Sequence, residues 1–314
     1  MAITEKNKHN TDNEKGLVFH IIHGSFVDGY GIRTTVFLKG CPLRCLWCCN
    51  PEGQKEYPEL KYTASNCNGC GKCVDVCPTG AIRLDNALEK AQVDRGLCDN
   101  CGKCIDVCHA DALEYFGTYY TVDELFEIIR KDEHYYRSSG GGVTFGGGEP
   151  TFQPRFTYAL LRKCQENYIH VAVDTCGYAT TEEQFRILAE ANLLLYDLKG
   201  LDPNAHTKNT GISNEIILSN LKMLNDMGKS IIIRIPVIPG LTVTNENMEI
   251  IAAFLSRLKS LERVDLLAYH TYGTIKYEQL GRKYKLSTQA NIQELTEKTK
   301  RIFERYGLNV QLGG

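Results

Sequence analysis

Cys41-Pro42-Leu43-Arg44-Cys45-Leu46-Trp47-Cys48-Cys49-Asn50 is the stretch from which the rest of the chain is read. Cys41, Cys45 and Cys48 stand at a C-x3-C-x2-C spacing. Three thiolates hold three irons of a cubic [4Fe–4S] cluster, and the run offers no fourth regular ligand. An incomplete ligand set leaves a position open to substrate, which separates a catalytic metal site from a closed structural one. Zinc knuckles pair two C-x2-C units, and this triplet has no such pairing. Buried thiols without metal are the other alternative. Cys49 has no place in the spacing.

The 314 residues allow one large α/β domain with a smaller companion, or two ordinary domains. A hydrophobic content of 43% with 24% charged residues is ordinary for a soluble globular chain. The formal charge of −2 gives no basic field for nucleic acid. No apolar run approaches the roughly 20 residues of a membrane span. Residues 1–16 are polar and mixed in charge, without the apolar core of a signal peptide, and are expected to be a disordered tail on a cytoplasmic protein. In such a chain clustered cysteines bind metal more often than they form disulfides. Eleven of the fourteen fall into three regular runs, leaving Cys49, Cys164 and Cys176.

Just before the first run, Leu17 to Ile22 and Thr35 to Leu38 read as strands around the glycine-broken turn Asp28-Gly29-Tyr30-Gly31-Ile32-Arg33. A metal loop directly after a strand sits at the mouth of an α/β sheet. Over 53–117 the composition changes to an internal repeat, Cys67-x2-Cys70-x2-Cys73-x3-Cys77-Pro78 and Cys98-x2-Cys101-x2-Cys104-x3-Cys108. This is the two-cluster bacterial ferredoxin pattern, in which the fourth cysteine of each run serves the other run's cluster. One cubane is then expected on Cys67, Cys70, Cys73 and Cys108, the other on Cys98, Cys101, Cys104 and Cys77. His109 replaces the usual proline of the second run.

Past the insert, helical and strand patterns alternate. Thr121 and Glu124 form a capping box. Helices are expected near 155–166, 182–191, 215–227, 247–258 and 288–305. Strands are expected at 143–145, 170–174, 193–197, 231–235, 264–268 and 308–312. This alternation predicts a parallel α/β sheet, open or curled into a barrel. Asp174, Thr175, Asp197, Lys199, Arg234 and His270 recur at strand ends, where charged groups of successive units converge. In Gly146-Gly147-Gly148-Glu149-Pro150 the backbone can approach a ligand closely and Glu149 can accept from an ammonium. The lysine and hydroxyl residue of a phosphate loop are missing.

Together these motifs resemble the activating enzymes of glycyl radical enzymes, the group that includes pyruvate formate-lyase-activating enzyme. The likeness is to the long form with a ferredoxin-like insert. It rests on Asp28 to Arg33, Cys41 to Glu52, the two ferredoxin runs, Gly147 to Pro150, Asp174 to Gly177, Asp197-x-Lys199, Arg234 to Gly240 and Tyr269-His270. It implies a partial (β/α)6 TIM-type barrel formed by 17–52 and 118–314, with an inserted bacterial-ferredoxin-like domain over 53–117. The implied cofactors are three [4Fe–4S] clusters and S-adenosylmethionine (SAM), whose amino and carboxylate groups chelate the open iron. One electron breaks the S–C5′ bond, and the 5′-deoxyadenosyl radical takes a hydrogen from a glycine of a partner glycyl radical enzyme. Residue by residue, the resemblance implies SAM contacts for Gly147, Gly148, Glu149, Asp174, Lys199, Arg234 and His270. It implies a monovalent cation, Na+ or K+, at Asp174, Thr175, the Leu195 carbonyl and Asp197. Asp28 and Tyr30 are expected to touch the partner's glycyl loop, with Tyr30 departing from the family's proline and loosening the turn.

The insert is expected to relay electrons from a flavodoxin or ferredoxin to the SAM cluster, or else to shape a docking surface. The protein is expected to be a monomer without nucleic-acid or membrane partners. An arylacetate or indoleacetate decarboxylase, or a dehydratase, is the expected kind of partner. A radical SAM enzyme acting on a small molecule and a ferredoxin-like electron carrier are the competing readings.

Overall fold

A computed structural model of the chain describes residues 14–85 and 87–313. The chain opens with an antiparallel pair, β1 (Lys15–Ser25) and β2 (Arg33–Leu38). The insert follows, with β3 (Glu59–Tyr62), α1 (Lys72–Asp75), the hairpin β4 (Ile82–Asp85) and β5 (Lys90–Val93), α2 (Lys103–Asp106) and β6 (Leu113–Phe116). β3 pairs with β6, so the insert leaves and rejoins the main body at one end of a single ladder. β7 (Thr118–Thr121) then returns to β1.

From there strands and helices alternate. The order is α3 (Val122–Arg130), α4 (Glu133–Ser139), β8 (Gly142–Gly147), α5 (Pro154–Glu166), β9 (Val171–Thr175), α6 (Glu182–Glu190) and β10 (Leu193–Asp197). Next come α7 (Pro203–Thr210), α8 (Glu215–Asp226), β11 (Ile231–Val237), α9 (Asn245–Leu255), β12 (Leu261–Ala268), α10 (Thr274–Gln279), α11 (Ile292–Arg305) and β13 (Val310–Leu312). One sheet runs β13-β12-β11-β10-β9-β8-β2-β1-β7, with β2 and β8 to β13 parallel. Its six central strands are the expected partial barrel, and among the described residues its end strands β13 and β7 are not paired to each other.

Several bounds differ from expectation for identifiable reasons. β1 takes in Lys15 and Gly16, placed in the tail by their polarity, because they pair with Thr121 and Tyr120 of β7. The rest of the expected tail, 1–13, lies outside the described residues. The last helix starts at Ile292 rather than near 288, because Asn291 Oδ1 accepts the Glu294 N–H at 3.2 Å and fixes the cap. The Thr121–Glu124 box forms as read, with both reciprocal hydrogen bonds.

The main core lies between the sheet and its helices, where Val36, Leu125, Ile129, Phe145, Leu160, Leu194, Tyr196, Ile233, Leu266 and Phe303 are buried. The other face of β9 to β11 lines the barrel interior. Strand alternation puts Ala172, Leu193, Leu195 and Ile232 low on that face as a small apolar floor. The same period puts Asp174, Asp197 and Arg234 above the floor. The insert has its own small core of Leu60, Cys73, Ile82, Ala91, Cys104 and Leu113.

Candidate active site

The Cys41–Asn50 loop leaves β2 at the carboxyl end of the parallel strands and is held from three sides. Gly40 N–H donates to the Gly53 carbonyl (2.8 Å), and Glu149 N–H donates to the Gly40 carbonyl (2.7 Å). The Arg44 and Leu46 amides donate to the carbonyls of Thr210 and Asn209 at the end of α7, at 2.7 and 3.0 Å. From α10, the Tyr277 hydroxyl donates to the Cys48 carbonyl at 3.0 Å. Cys41, Cys45 and Cys48 are half-buried, and burial pushes each thiol up to about 12. Such thiols are poor thiolates by themselves and gain most from a cationic metal group. Cys49 is exposed, with its backbone against Gly273.

Gly148 stands where β8 meets this loop. A Cβ there would lie 2.3 Å from the Gly40 carbonyl oxygen and 2.5 Å from that of Gly53, so glycine is required by backbone packing. Gly147, at φ +105°, packs against the Leu38 backbone in the same way. Glu149 is 0% exposed. Its carboxylate accepts from the hydroxyls of Thr151 (3.0 Å) and Thr175 (2.8 Å) and from the amides of Thr151 (3.2 Å) and Cys176 (2.7 Å). Glu149 thus ties the end of β8 to the end of β9.

Three carboxylates and two cations meet above the apolar floor. Lys199 Nζ donates to Asp197 Oδ2 at 2.7 Å. Burial alone would lower the Lys199 pKa, but the Asp197 carboxylate holds it raised and the amine charged. Arg234 Nη1 lies 3.1 Å from Asp174 Oδ2 and 4.0 Å from Asp28 Oδ1. These are ion-pair distances without hydrogen-bond alignment, and Arg234 Nε and Nη1 are buried with no aligned acceptor. Burial raises Asp174 to about 7 against the pull of Arg234, with Asp197 and Asp28 adding to the rise. Thr175 is buried beside Glu149, and Leu195 sits in register with Asp174. His270 stands outside this network. It is exposed, with its ring stacked on Tyr272 at 4.6 Å.

Asp28 is buried and accepts from Ser25 (2.6 Å) and Thr35 (2.7 Å). Tyr30 does not leave its turn loose. Its hydroxyl donates to Glu262 and its ring lies 5.1 Å under the Arg263 guanidinium, which joins the β1–β2 turn to β12 across the barrel. Two groups that the sequence reading passed over also shape the interior. Arg33, fully buried, donates to Thr144 Oγ1 (2.7 Å) and to the carbonyls of Val143 (2.6 Å) and Tyr30 (3.1 Å). Helix α7, whose carbonyls hold the cluster loop, has no apolar periodicity to announce it.

In the insert the eight run cysteines divide between two cavities. One is lined by Cys67, Cys70, Cys73 and Cys108 with Tyr62, Leu84 and Leu113. The other is lined by Cys77, Cys98, Cys101 and Cys104 with Leu60 and Ile82. Each holds three thiols of one run and the fourth of the other, a donor set suited to a cubane in an apolar shell. Among the described residues no three His, Cys, Asp or Glu side chains converge as a single metal ion requires.

A radical SAM superfamily model matches residues 100–254, and a 4Fe–4S dicluster domain model matches residues 66–112. The trans-4-hydroxy-L-proline dehydratase activating enzyme of Clostridioides difficile is 43% identical over 302 residues, covering 95% of this chain and 99% of the relative. The choline trimethylamine-lyase activating enzyme of Oleidesulfovibrio alaskensis is 41% identical over 274 residues, 86% and 88% of the two chains. The chain belongs to the activating enzymes of glycyl radical enzymes.

As an activating enzyme of the radical SAM class it carries iron–sulfur clusters and cleaves SAM. The radical so made takes hydrogen from a glycine of a partner glycyl radical enzyme. These relatives favour neither the small-molecule radical enzyme nor the electron carrier. The fold is also that of SuiB from Streptococcus suis, at TM-score 0.50 and 20% identity over 63% of the activating enzyme and 43% of SuiB. None of its described helices is long and apolar enough to cross a membrane.

Proposed function

We propose that the activating enzyme holds three [4Fe–4S] clusters. One is on Cys41, Cys45 and Cys48 with an iron left open for SAM. One is on Cys67, Cys70, Cys73 and Cys108, and one on Cys77, Cys98, Cys101 and Cys104. The observation that carries this count is the division of the insert's eight thiols around two separate cavities. When bound, the open-iron cluster supplies the single low-potential electron that reduces the sulfonium.

The protein's own part is to position and to exclude water. Three carboxylates facing two cations leave room for one more positive group in the barrel, which suits the ammonium or sulfonium of SAM. Lys199, kept charged by Asp197, suits the SAM carboxylate. Arg234, with two unaligned N–H groups, is free to turn a donor toward a ligand. Glu149, fully buried and held by the Cys176 amide and the Thr175 hydroxyl, would be the carboxylate that accepts from the SAM ammonium. Gly147 and Gly148 bring backbone close to that end of SAM. His270, exposed beside Tyr272, offers a ring for the nucleoside. A monovalent cation at Asp174, Thr175, the Leu195 carbonyl and Asp197 would compete with Arg234 and Lys199 for the same carboxylates. Asp28 and Tyr30 border the path of the glycyl loop.

The insert relays electrons from a flavodoxin or ferredoxin, and the enzyme works in the cytoplasm as a monomer. Its partner is a glycyl radical dehydratase in this reading, supported by the near full-length match to a dehydratase activator, while decarboxylase activators of Clostridioides difficile match at 36%. Anaerobically reconstituted protein should hold iron for three cubanes. Cys45→Ala should lose about a third of it and all 5′-deoxyadenosine formation. Retained SAM cleavage in that variant would refute the ligand set. Incubation with purified dehydratase and decarboxylase partners, read by the glycyl radical signal, tests the partner class, and a signal only with the decarboxylase would reverse it.

A further inference from the structure

A joint between the insert and the cluster loop is made by one arginine and one short segment. Arg95, three residues before Cys98, donates through Nη2 to the Gln279 carbonyl at 2.7 Å and through Nη1 to the Leu60 carbonyl. Its Nε is buried without an acceptor. Gly281 makes room for it, since a Cβ there would stand 2.9 Å from Arg95 Cγ and 3.0 Å from its Nε. The segment that receives Arg95 also grips the insert through Gln279 Nε2 to Thr63 Oγ1 (3.1 Å). On its other side it grips the cluster loop, through Tyr277 to the Cys48 carbonyl (3.0 Å) and Arg282 to the Pro51 carbonyl (2.9 Å).

The joint runs along β3, reaching Thr63 past one end through Gln279 and Leu60 near the other through Arg95, and the β3–β6 ladder together with Arg95, three residues before Cys98, orders the two thiol cavities. β3 enters from the barrel at Glu59 and β6 returns to it after Phe116, and these two residues are paired, so theirs is the barrel end of the ladder. Leu60, next to that end, lines the cavity of Cys77, Cys98, Cys101 and Cys104. Tyr62 and Leu113, paired at the far end, line the cavity of Cys67, Cys70, Cys73 and Cys108.

We propose that the Cys77/Cys98/Cys101/Cys104 site is the proximal one, and that Arg95 with residues 277–282 is the joint across which it serves the Cys41/Cys45/Cys48 loop. The Cys67/Cys70/Cys73/Cys108 site is then the outer one, where the external donor docks. This rests on the relay reading of the insert. One electron crosses per SAM cleaved. A one-electron protein donor of the flavodoxin or ferredoxin class is oxidised by one electron, the sulfonium is reduced by one, and no proton moves at the joint. Arg95 is a positioning residue here, since it touches neither SAM nor the glycine.

The test uses reconstituted full-length protein reduced with dithionite. The SAM-site signal is identified by its change on adding SAM, and its spin relaxation reports the nearest second paramagnet. Cys98→Ala and Cys104→Ala should each slow that relaxation, while Cys67→Ala and Cys73→Ala should leave it fast. The reverse ranking would overturn the proposal. If donor-driven 5′-deoxyadenosine formation matched dithionite-driven formation in all four variants, the relay would be refuted while the ranking stood. Arg95→Gln keeps every thiol. In that variant amide exchange over 274–284 should rise about tenfold, the worth of one or two hydrogen bonds. The ratio of donor-driven to dithionite-driven cleavage should fall with iron content intact, and Arg95→Lys should restore part of it. Unchanged exchange together with an unchanged ratio in Arg95→Gln would remove the joint.

Discussion

His170 shows how much one residue's surroundings decide. Its Nδ1 lies 3.3 Å from Arg33 Nη2, so the ring must be neutral to accept from the guanidinium. Burial, with Arg33 beside it, lowers its pKa to about 4, against an ordinary 6.5. Between pH 4 and 6.5 the unfolded chain therefore binds more protons than the folded one, and the stability this site contributes is lost as pH falls through that window. The midpoint of thermal unfolding of the apoprotein should drop on going from pH 7 to pH 5, and His170→Gln should flatten that drop. An equal slope in the variant would assign it to other groups. Tyr30 makes the companion case. Tyr30→Phe removes the hydroxyl that Glu262 accepts and should cost about 1 kcal/mol of stability in urea titrations. If the turn contacts the glycyl loop as proposed above, activation of the partner should slow more than SAM cleavage without it; equal slowing of both would place the tether's role in stability alone.

At the scale of elements, legibility followed periodicity. β9, β10 and β11 are short apolar runs between helical patterns, and they could be placed within two residues. The inner-face charges followed, because the same alternation that gives Ala172, Leu193 and Ile232 to the floor sets Asp174, Asp197 and Arg234 above it. α7 could not be read. Its eight residues, Pro-Asn-Ala-His-Thr-Lys-Asn-Thr, bury His206, Asn209 and Thr210 through polar contacts such as His206 Nδ1 with the Ile212 carbonyl at 2.6 Å. An apolar stripe, the feature that betrays a helix, is missing. The Tyr30 tether was hidden for a different reason: it joins residues 232 positions apart and depends on how far the sheet curls. The glycines after β8 were read as a place where backbone approaches a ligand. The structure adds that Gly148 meets two carbonyls of the chain itself, whatever it does for SAM. Gly148→Ala should therefore displace the Gly40 and Gly53 carbonyls and with them the start of the cluster loop. The expected result is loss of the SAM-site iron while the two insert sites keep theirs, read by iron content and by the low-temperature paramagnetic spectrum. Full iron with altered SAM affinity alone would place the glycine's role in ligand contact.

At the scale of the whole molecule, the insert has its own small core, part of it cysteine, distinct from the main core of the barrel. Its seat on the barrel is ionic. Lys39, at the end of β2, is completely buried and donates to the Glu52 carbonyl and to Glu59 Oε2 (3.2 Å), while Arg282 pairs with the other oxygen of Glu59. Glu59 is the first residue of β3, and Arg282 belongs to the segment that grips the cluster loop, so one carboxylate holds barrel, insert and segment together. Burying ions costs desolvation, and a pair of this kind adds less net stability than its geometry suggests. Removing one partner leaves the other charge stranded and costs about 3–5 kcal/mol. Glu59→Gln strands Lys39 in this way, so the variant should unfold at markedly lower denaturant and release the insert to protease at 53–58 before the barrel is cut. The double variant Glu59→Gln/Lys39→Met removes both charges and should recover most of the stability. Recovery would show that the seat serves register between the two parts more than it serves overall stability, and failure to recover would show that Arg282 needs the carboxylate as much as Lys39 does.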